Sequence, residues 1–596
     1  MASEYWDRFW RNRSSRRRFL GTGAALGAGT AGFALVGCGN DDDDDDVTPP
    51  PPDDDDDVTP PPDDDDDTVA EGNYGGTLRY PYVGAASANP PTLFPYENLT
   101  YLAQIQSSMH YSRLLTEYGG PGIHPDDWTT LEGDLAESMP EQPDETTYIF
   151  KFRQNIHWHD KEPVNGAQAT AEDFAETYQA FLALSQNAAT YQDVIASMEA
   201  TDEYTLQVTT TRPFAPFLTV HASTPEGIWF IPVRAIEGGQ VYDAQVGTGP
   251  WVFDRFESGV SLTWDRFDNY FRDEGWPYFD RVEASLIGEP TRMITSLRAG
   301  ELDMAPNMGG LYSELAELDG EIYSSGHGNV TSIWFNFDND GGRWRDKRLR
   351  QALSMSINRE SILNALDASG EGDWQSPFCS PNLPPWFLSP RDGDYGDNAR
   401  YFEYNPEEAR ALIEAATGET NPRIRINANI DAYGRLREQK WELTAASLEE
   451  VGWDVELNYE DYGSYITSTF LGDIAEGVAY GPIIGSPRDP HDVLSRNHAS
   501  TSARRNWSGT PIDEQEQHDA RIREQEGIMD LEERLEYIHQ FQRDAAEYLL
   551  FVPSVGPAGL SYHNPYVQNY HPKAGYNFAF TAFSKAWFTE ERIAQD

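Results

Sequence analysis

The chain has 596 residues and a formal net charge of −55, from 44 basic and 99 acidic side chains. That length exceeds what one hydrophobic core usually supports, so we expect more than one lobe. An acidic surface repels phosphate backbones, which argues against nucleic-acid binding, and two cysteines are too few for a four-thiolate zinc site or a disulfide framework. With 38 Arg and 6 Lys, we also expect a heavily hydrated, lysine-poor surface.

Residues 1–37 have the pattern of an export signal. The stretch SRRRFL at 15–20 is a twin-arginine pattern, and a Gly/Ala-rich apolar run at 21–36 follows it. That run is shorter than the roughly 20 residues that span a bilayer. LVGC, which ends at Cys38, resembles a bacterial lipobox, where the thiol is joined to diacylglycerol. We expect cleavage before Cys38 and attachment at the outer face of the cytoplasmic membrane; the alternative is a chance apolar stretch with a buried cysteine.

Residues 38–72 contain three pure aspartate runs separated by Val-Thr and prolines. Such a segment repels itself and has nothing to bury, so we expect a disordered, extended tether that reaches on the order of 100 Å. Calcium capture is the alternative, because calcium prefers carboxylate oxygens. The runs lack the Gly and the closing Glu of an EF-hand loop, so we favour loose cation condensation over a specific metal site.

From Tyr74 onward, short apolar runs alternate with helical patterns, which predicts an α/β or α+β body. The predicted strands are 77–82, 147–153, 204–209, 227–233, 260–266, 331–337, 423–430, 453–459 and 549–555.

The stretch IHWHD at 156–160 crowds two histidines and an acid together. On a strand, His157 and His159 would point to one face and, with Asp160, hold zinc if the geometry allowed. The other interpretation is a strand end and turn, with Trp158 packed in the core and Asp160 capping the turn. We favour the structural interpretation.

The stretch NPEEARALIEAATG carries signals for both ends of a helix. Asn405 stands as N-cap, Pro406 as the first helical residue, and Gly418 just beyond the end. A helix from about 436 to 451 lies between the predicted strands 423–430 and 453–459, which predicts a right-handed βαβ unit. A further amphipathic helix is expected at 530–549.

Motifs for catalysis are sparse. The sequence has no G-x-S-x-G, no H-E-x-x-H and no P-loop, so an ATP-driven step would belong to a partner. His491 and His498 are seven residues apart and could share a helix face, where we expect a surface pair rather than a ligand pair. For Cys379 we expect a buried thiol rather than a nucleophile. The aromatic stretch NLPPWF at 382–387 could stack on a sugar in a cleft, but a buried Trp is the favoured interpretation.

Several motifs, taken together and in order, resemble one family: the exported solute-binding proteins of family 5, the peptide/nickel-type receptors of ABC importers. The motifs are LAESMPEQPDETTYIFKFRQNIHWHD (135–160), ATAEDFAETYQAF (169–181), VGTGPWVFDRF (246–256), SLRAGELDMA (296–305), IWFNFDN (333–339), WRDKRLRQALSMSINRESI (344–362), YNPEEARALI (404–413), SLEEVGWDVEL (447–457) and ERLEYIHQFQRDAAEYLLFVP (533–553).

The resemblance implies a type II periplasmic-binding-protein fold of cluster C, with two main lobes, a hinge and a smaller inserted lobe. The implied boundaries are lobe I at 73–116, 223–309 and 526–596, lobe II at 117–222, and lobe III at 310–525. It also implies a binding protein rather than an enzyme, without a cofactor, that closes over solute and docks on ABC permease subunits with a separate ATPase.

Dipeptide-binding members of that family hold the peptide amine with an Asp in a segment that ends in Asp-Pro. Aligning that segment on Asp489-Pro490 places Ser486, beside Gly485, where the amine-binding Asp would be. The resemblance therefore implies that this anchor is absent, unless Asp489 replaces it.

Those members hold the peptide carboxylate with an Arg shortly before a long helix. Counting back from the end of the 436–451 helix places Asp431 at that position, with Tyr433 at a pocket Tyr; Arg435 or Arg437 could replace the lost Arg. An ionised Asp431 facing a cleft needs a donor, which suits a cationic or hydroxyl-rich ligand.

Tyr82 and Asn89 are further pocket candidates, each with a packing or turn role as the alternative. Oligopeptides held by backbone contacts remain the leading ligand class. An oligosaccharide or a cation is the alternative for the same receptor, and a secreted hydrolase is a competing function of another class.

Overall fold

The structure is a computed structural model that describes residues 72–82, 89–98, 101–117, 119, 130–224, 227–272, 275–306, 308–325, 330–429, 435–483, 488–572 and 581–595. The predicted signal peptide, Cys38 and the aspartate runs lie outside these residues. Within the described ranges, no helix is both long enough and apolar enough to cross a bilayer.

The described residues form the following strands: β1 (Thr77–Pro81), β2 (Leu115–Glu117), β3 (Leu131–Gly133), β4 (Glu141–Asp144), β5 (Thr147–Lys151), β6 (Ile195–Asp202), β7 (Thr205–Thr210), β8 (Trp251–Glu257), β9 (Ser261–Arg266), β10 (Arg281–Ser285), β11 (Met304–Ala305), β12 (Glu321–Ser325), β13 (Val330–Phe335), β14 (Asp373–Trp374), β15 (Arg423–Asn429), β16 (Asp454–Glu460), β17 (Val478–Ile483), β18 (Val552–Pro553), β19 (Val555–Gly556), β20 (Gly559–His563), β21 (Val567–Gln568) and β22 (Trp587–Phe588).

The α-helices are α1 (Tyr101–Gln104), α2 (Ser107–His110), α3 (Ala171–Leu184), α4 (Ala188–Val194), α5 (Val233–Gly238), α6 (Pro290–Ala299), α7 (Tyr312–Leu315), α8 (Lys347–Met355), α9 (Arg359–Leu366), α10 (Pro406–Thr417), α11 (Arg435–Val451), α12 (Tyr462–Thr467), α13 (Pro490–Val493), α14 (Gln515–Glu526), α15 (Leu531–Tyr548), α16 (Thr581–Lys585) and α17 (Glu590–Ile593). Short π-helical turns occupy Leu218–Ala222 and Leu494–His498.

A five-stranded mixed sheet has the order β16-β15-β17-β13-β18. β15 is parallel to both β16 and β17, and α11 connects β15 to β16. Ile424 and Ile426 alternate toward one face of the sheet and belong to the same buried apolar cluster as Trp441 and Leu448 of α11. We call this cluster 1; it also includes Phe541 of α15. The predicted βαβ unit is confirmed.

A four-stranded antiparallel sheet has the order β4-β5-β7-β6. Alternate side chains of β5 and β7, such as Phe150 and Val208, point inward and pack with Phe174 and Phe181 of α3 in a second apolar cluster, cluster 2. Thr170 and Asp173 form a reciprocal capping box that fixes the start of α3.

Two further sheets, β1-β10-β9-β8 and β11-β20-β12, surround smaller apolar cores. The backbone of the VGTGPW motif packs directly against the backbone at His110. A Cβ on Gly247 would lie 1.8 Å from the His110 carbonyl oxygen, and one on Gly249 would lie 2.7 Å from the His110 carbonyl carbon. Glycine is therefore required here because the backbones approach too closely for a side chain.

Most local predictions are confirmed, with two corrections. The α10 helix starts at the Asn405 cap and stops at Gly418, whose φ is 74°. Residues 227–233 form no strand: the segment is buried through Trp229 and Phe230, and α5 begins at Val233. The predicted strand 549–555 is two short strands, β18 and β19, following a left-handed residue, Leu549, at the end of α15.

The mixed α/β class is confirmed. The apolar clusters show which elements pack together, and α15, predicted within lobe I, contributes to cluster 1. The lobe boundaries themselves stay a prediction.

Candidate functional site

Most of the predicted ligand residues follow the carboxyl ends of β15 and β17. Parallel strands bring such ends to one edge of a sheet, where ligands of α/β folds commonly bind. Asp431 and Tyr433 follow β15, and Gly485 and Ser486 follow β17; all four lie outside the described residues, as does Cys38. The neighbouring described side chains therefore define what surrounds this edge.

Asp489, the alternative amine anchor, is already neutralised within the protein. Its carboxylate accepts two hydrogen bonds from the Arg534 guanidinium, at 2.7 and 2.6 Å, and one from the His491 backbone amide at 2.8 Å. Burial raises the pKa of Asp489, but the Arg534 charge outweighs burial and leaves that pKa below its usual value. Asp489 acts as the N-cap of α13 and as a structural anion, so the structure does not support its use as a replacement anchor.

Arg435, the first residue of α11, is exposed, whereas Arg437 is half-buried. One turn further, Lys440 is fully buried: its Nζ donates to Thr331 Oγ1 and to the Val555 carbonyl oxygen, each at 2.9 Å. Burial, with a smaller effect from the Arg437 charge, lowers the pKa of Lys440 well below its usual value.

Lys440 lies where the chain passes between two sheets. The five-stranded sheet and the β11-β20-β12 sheet are joined by the β12–β13 connection and by the β19–β20 connection; β19 begins two residues after β18 of the five-stranded sheet and pairs with β14. Thr331 lies just after the first connection and Val555 just before the second. The buried amino group of Lys440 therefore links α11 to residues beside both connections, which is the position at which a hinge between these sheets would bend.

The polar face of β15 and β16 forms the floor of a cavity of about 500 Å³. Asn458 Nδ2 donates to Asn427 Oδ1 at 2.8 Å, and Asn427 Nδ2 donates to the Val478 carbonyl at 2.9 Å. Acceptors dominate the remaining wall. The lining residues are Arg425, Asn427, Asn458, Tyr459, Glu460, Asp461, Ser464, Ser468, Thr469, Asp473, Ile474, Ala475 and Glu476.

Tyr82 and Asn89 have different neighbours. Tyr82 is fully buried, and its hydroxyl donates to Gln106 Oε1 at 2.8 Å. Asn89 is exposed and binds the turn between β8 and β9: its Nδ2 donates to Ser258 Oγ at 3.0 Å, and its Oδ1 accepts from the Gly259 amide at 2.8 Å. Tyr82 therefore has a packing role and Asn89 a role in a turn. Ligand contact by either residue stays a prediction.

In the IHWHD stretch, the rings of His157 and His159 both hydrogen-bond to backbone groups. His159 is buried, its Nε2 donates to the Gly249 carbonyl at 3.0 Å, and its Nδ1 accepts from the Gly247 amide at 3.3 Å. Burial lowers the pKa of His159 to about 4. Trp158 packs on Phe230 with ring centroids 4.3 Å apart. The core position predicted for Trp158 is confirmed. Among the described residues, no group of three or more His, Cys, Asp or Glu side chains is placed to hold a metal ion.

The surface pair predicted at His491 and His498 is wrong, because both rings are buried. His491 Nδ1 contacts Gln525 Nε2 at 2.8 Å, and His498 Nδ1 contacts His518 Nε2 at 3.2 Å, so α14 covers this face. The buried thiol predicted at Cys379 is confirmed, and burial raises its pKa. Trp386 of the NLPPWF stretch also lies in cluster 1, which confirms the core interpretation.

Sequence reasoning missed the buried charges. The burial of Lys440 is only weakly indicated by the sequence: it is one of six lysines and stands on the same face of α11 as Thr444 and Ser447, which are buried. Glu117 and Arg488, which contact each other while fully buried, carry no signal because 371 positions of sequence separate 117 from 488.

Curated relatives match across most of the chain. A di/tripeptide-binding protein of Pseudomonas aeruginosa is 24% identical over 455 residues, 71% of this chain and 80% of the relative. The nickel-binding periplasmic protein of Escherichia coli is 23% identical over 413 residues, 64% and 74% of the two chains. Heme-binding protein A of Haemophilus influenzae is 24% identical over 471 residues, 74% and 82%.

Solved structures share the fold. The periplasmic binding protein DppA of Helicobacter pylori, in complex with the peptide STSA, superposes with a TM-score of 0.69 at 19% identity and covers 87% of this chain and 98% of its own. AgaA of Agrobacterium tumefaciens, in complex with agropinic acid, gives 0.68 at 19% identity, with 86% and 99% coverage. The sequence profile of bacterial extracellular solute-binding proteins, family 5 Middle, matches residues 130–497, more than half of the chain. The chain therefore belongs to the bacterial extracellular solute-binding proteins of family 5.

Proposed function

We propose that the protein is the extracytoplasmic receptor of an ABC importer, which captures oligopeptides or a related small solute by closure of two lobes and delivers it to the permease. The match of the family profile to residues 130–497 is the observation that carries this proposal. The permease and a separate ATPase would be its partners, and the receptor itself would use no cofactor and catalyse no reaction.

The two connections between the five-stranded sheet and the β11-β20-β12 sheet support hinged closure. A ligand that contacts both sides favours the closed form by its difference in affinity for the two forms. Solute enclosed between the lobes is shielded from water, so each polar contact to it is stronger than in a solvated site. We propose Asp431, Tyr433, Gly485 and Ser486 as ligand contacts, with Tyr82 and Asn89 as further candidates.

The names of the relatives record different ligands: di/tripeptides, nickel and heme. They therefore support the binding of a small solute and do not single out one compound. Peptide is our first candidate. The polar cavity of about 500 Å³ beside β15 and β16 favours, as a second candidate, a hydroxyl-rich or cationic solute, because its wall offers mainly acceptors.

Thermal-shift screening of the chain carrying Cys38→Ser, against peptide, oligosaccharide and metal-ion libraries, tests this function. A ligand at about 100 times its Kd stabilises the folded state by about 2.7 kcal/mol, which is readily measured. Saturable stabilisation without product supports a receptor. Turnover of a hit into product, abolished by changing one acidic residue, would instead establish a hydrolase. Asp431→Ala should weaken the hit without unfolding the protein.

We propose that the twin-arginine route exports the protein and that diacylation of Cys38 anchors it, with the aspartate-rich segment as tether. Two acyl chains hold a protein at a membrane far more firmly than one. Cys38→Ser should release the protein from the membrane fraction, and replacing the arginine pair at 16–17 with lysines should retain it in the cytoplasm. Membrane retention of Cys38→Ser would refute the anchor.

A further inference from the structure

The contacts between cluster 1 and cluster 2 differ in kind from the clusters themselves. Each cluster is apolar, but most of the contacts between them come from charged and polar groups, beside one aromatic contact between Phe214 and His491, whose ring centroids are 5.1 Å apart. The Ala215 amide donates to the Glu526 carbonyl oxygen at 2.7 Å, Arg212 donates to Glu526 Oε2 at 2.9 Å, and Thr219 Oγ1 donates to Asp489 Oδ2 at 3.3 Å. Water can replace the partners of such polar groups when the two sides separate, which it cannot do for an apolar contact.

The central contact in this interface is the ion pair between Arg488 and Glu117. Arg488 lies beside α13, next to cluster 1, and Glu117 lies in β2, whose neighbours belong to cluster 2. The two side chains are 1% and 0% exposed. A second guanidinium nitrogen of Arg488 donates to the Ser223 carbonyl oxygen at 2.7 Å. Arg488 thus contacts Glu117 and Ser223 across the interface, while Asp492 on its own side contributes a favourable charge.

Glu117 has a partner on its own side as well. Arg113, four residues earlier, approaches Glu117 Oε2 at 3.3 Å and also donates to the Ser223 carbonyl. The face of Trp229 lies 4.9 Å from the Arg113 guanidinium and holds it in place. If the two sides part, Arg488 returns to water while Glu117 keeps Arg113. The separated state therefore leaves no unpaired buried carboxylate, so the contact can be made and broken repeatedly.

We propose that the Arg488–Glu117 ion pair is a closure latch that stabilises the joined arrangement of the two sides. This rests on the proposed receptor function, in which separated and joined arrangements alternate. The pair would set the ratio of the two arrangements before solute binds, and so would tune solute affinity. Arg488 and Glu117 are positioning residues in this scheme.

The test measures the separation of the two sides directly. Spin labels on Glu145→Cys, in the exposed β4–β5 turn, and Glu419→Cys, after α10, report that distance in the chain carrying Cys38→Ser; Cys379 is buried and does not react. No solute or permease is needed. A negative result would therefore leave the receptor function intact, and a failed solute screen would leave the latch result intact.

Arg488→Met should raise the ratio of separated to joined populations at least tenfold in double electron–electron resonance. Arg212→Met is the matched control, because Arg212 is 38% exposed and its pair with Glu526 lies at the rim; its ratio should change less than twofold. Arg488→Lys keeps the charge and should restore most of the joined population. A wild-type distance distribution in Arg488→Met, or equal separation in Arg488→Met and Arg488→Lys, would refute the latch. Failure of both variants to fold would overturn it too, since the pair would then serve folding.

Discussion

Asp489→Asn tests whether the carboxylate at the end of the Asp-Pro segment is structural. The change keeps the size of the side chain and removes its charge. Arg534 then stays buried without its counter-charge, since the two side chains are only 2% and 3% exposed. Removing one partner of a buried ion pair costs about 3–5 kcal/mol.

The surroundings of Arg534 favour the lower end of that range. Its guanidinium also donates to Gln525 Oε1 at 2.7 Å and lies 4.8 Å from the centroid of the Trp386 ring, so two contacts survive the substitution. The new amide can still accept from the His491 backbone. We therefore expect a loss of about 3 kcal/mol, a large part of the 5–15 kcal/mol typical of a folded domain.

Urea unfolding, followed by tryptophan fluorescence and circular dichroism, measures this loss. Asp489→Asn combined with Arg534→Met should recover most of it, because the double variant leaves neither charge of this pair in the buried site. Glu547→Gln is the control: its partner Lys347 is 42% exposed, and we expect less than about 1 kcal/mol. Solute affinity of folded Asp489→Asn should match the wild type. A loss below about 1 kcal/mol together with weakened affinity would show that Asp489 is a ligand group after all.

Three further changes follow from single contacts. Burial lowers the pKa of His221 to about 3, so protonation of this ring favours the unfolded state as pH falls below 6.5, and at pH 5 the cost is about 2 kcal/mol. His221→Phe should remove this share and make the fall of Tm between pH 6.5 and 4 less steep than in the wild type, whereas parallel curves would contradict this. Gly247→Ala should abolish soluble expression because of its close approach to His110, whereas Gly527→Ala, with 3.8 Å to its nearest atom, should leave Tm within about 2 °C. Lys440→Met leaves the Val555 carbonyl without its buried donor and should cost about 1–3 kcal/mol in urea unfolding; an unchanged midpoint would exclude the tie between the two connections.

Local sequence signals were sufficient to predict elements whose first and last residues are set by adjacent residues. Asn405 and Gly418 bracket α10 because capping and left-handed geometry need only adjacent residues. The βαβ unit follows from strand and helix periods in sequence. Residues 227–233 have the same apolar composition as a strand, but Phe230 uses its amide to bond the Ser112 carbonyl instead of a ladder partner. Tertiary contacts decide whether such a segment becomes a strand, and its composition does not reveal those contacts.

The candidate site was less predictable, because burial of polar groups depends on distant elements. His491 and His498 have a spacing that also suits an exposed helix face, and only the position of α14 shows that they are covered. Asp489 stands in the segment where the family resemblance predicts ligand contact, yet its carboxylate is paired with Arg534 on a separate helix. The motifs identified the family correctly, but they did not show that the Asp489 carboxylate is already paired within the protein.

The excess of arginine over lysine, interpreted from sequence as a surface property, also has an interior cause. Arg350, Arg359 and Arg488 are among the largest fully buried side chains. Arg350 donates to the carbonyls of Trp344 and Tyr548, at 2.5 and 2.8 Å, and so joins two distant stretches of chain. Arg359 joins others in the same way, through Phe402 and Pro553. A guanidinium offers five donors in a fixed plane, whereas an ammonium offers three on a flexible stem, so arginine holds several carbonyls in a more fixed geometry than lysine. The composition therefore reflects internal bracing as well as hydration.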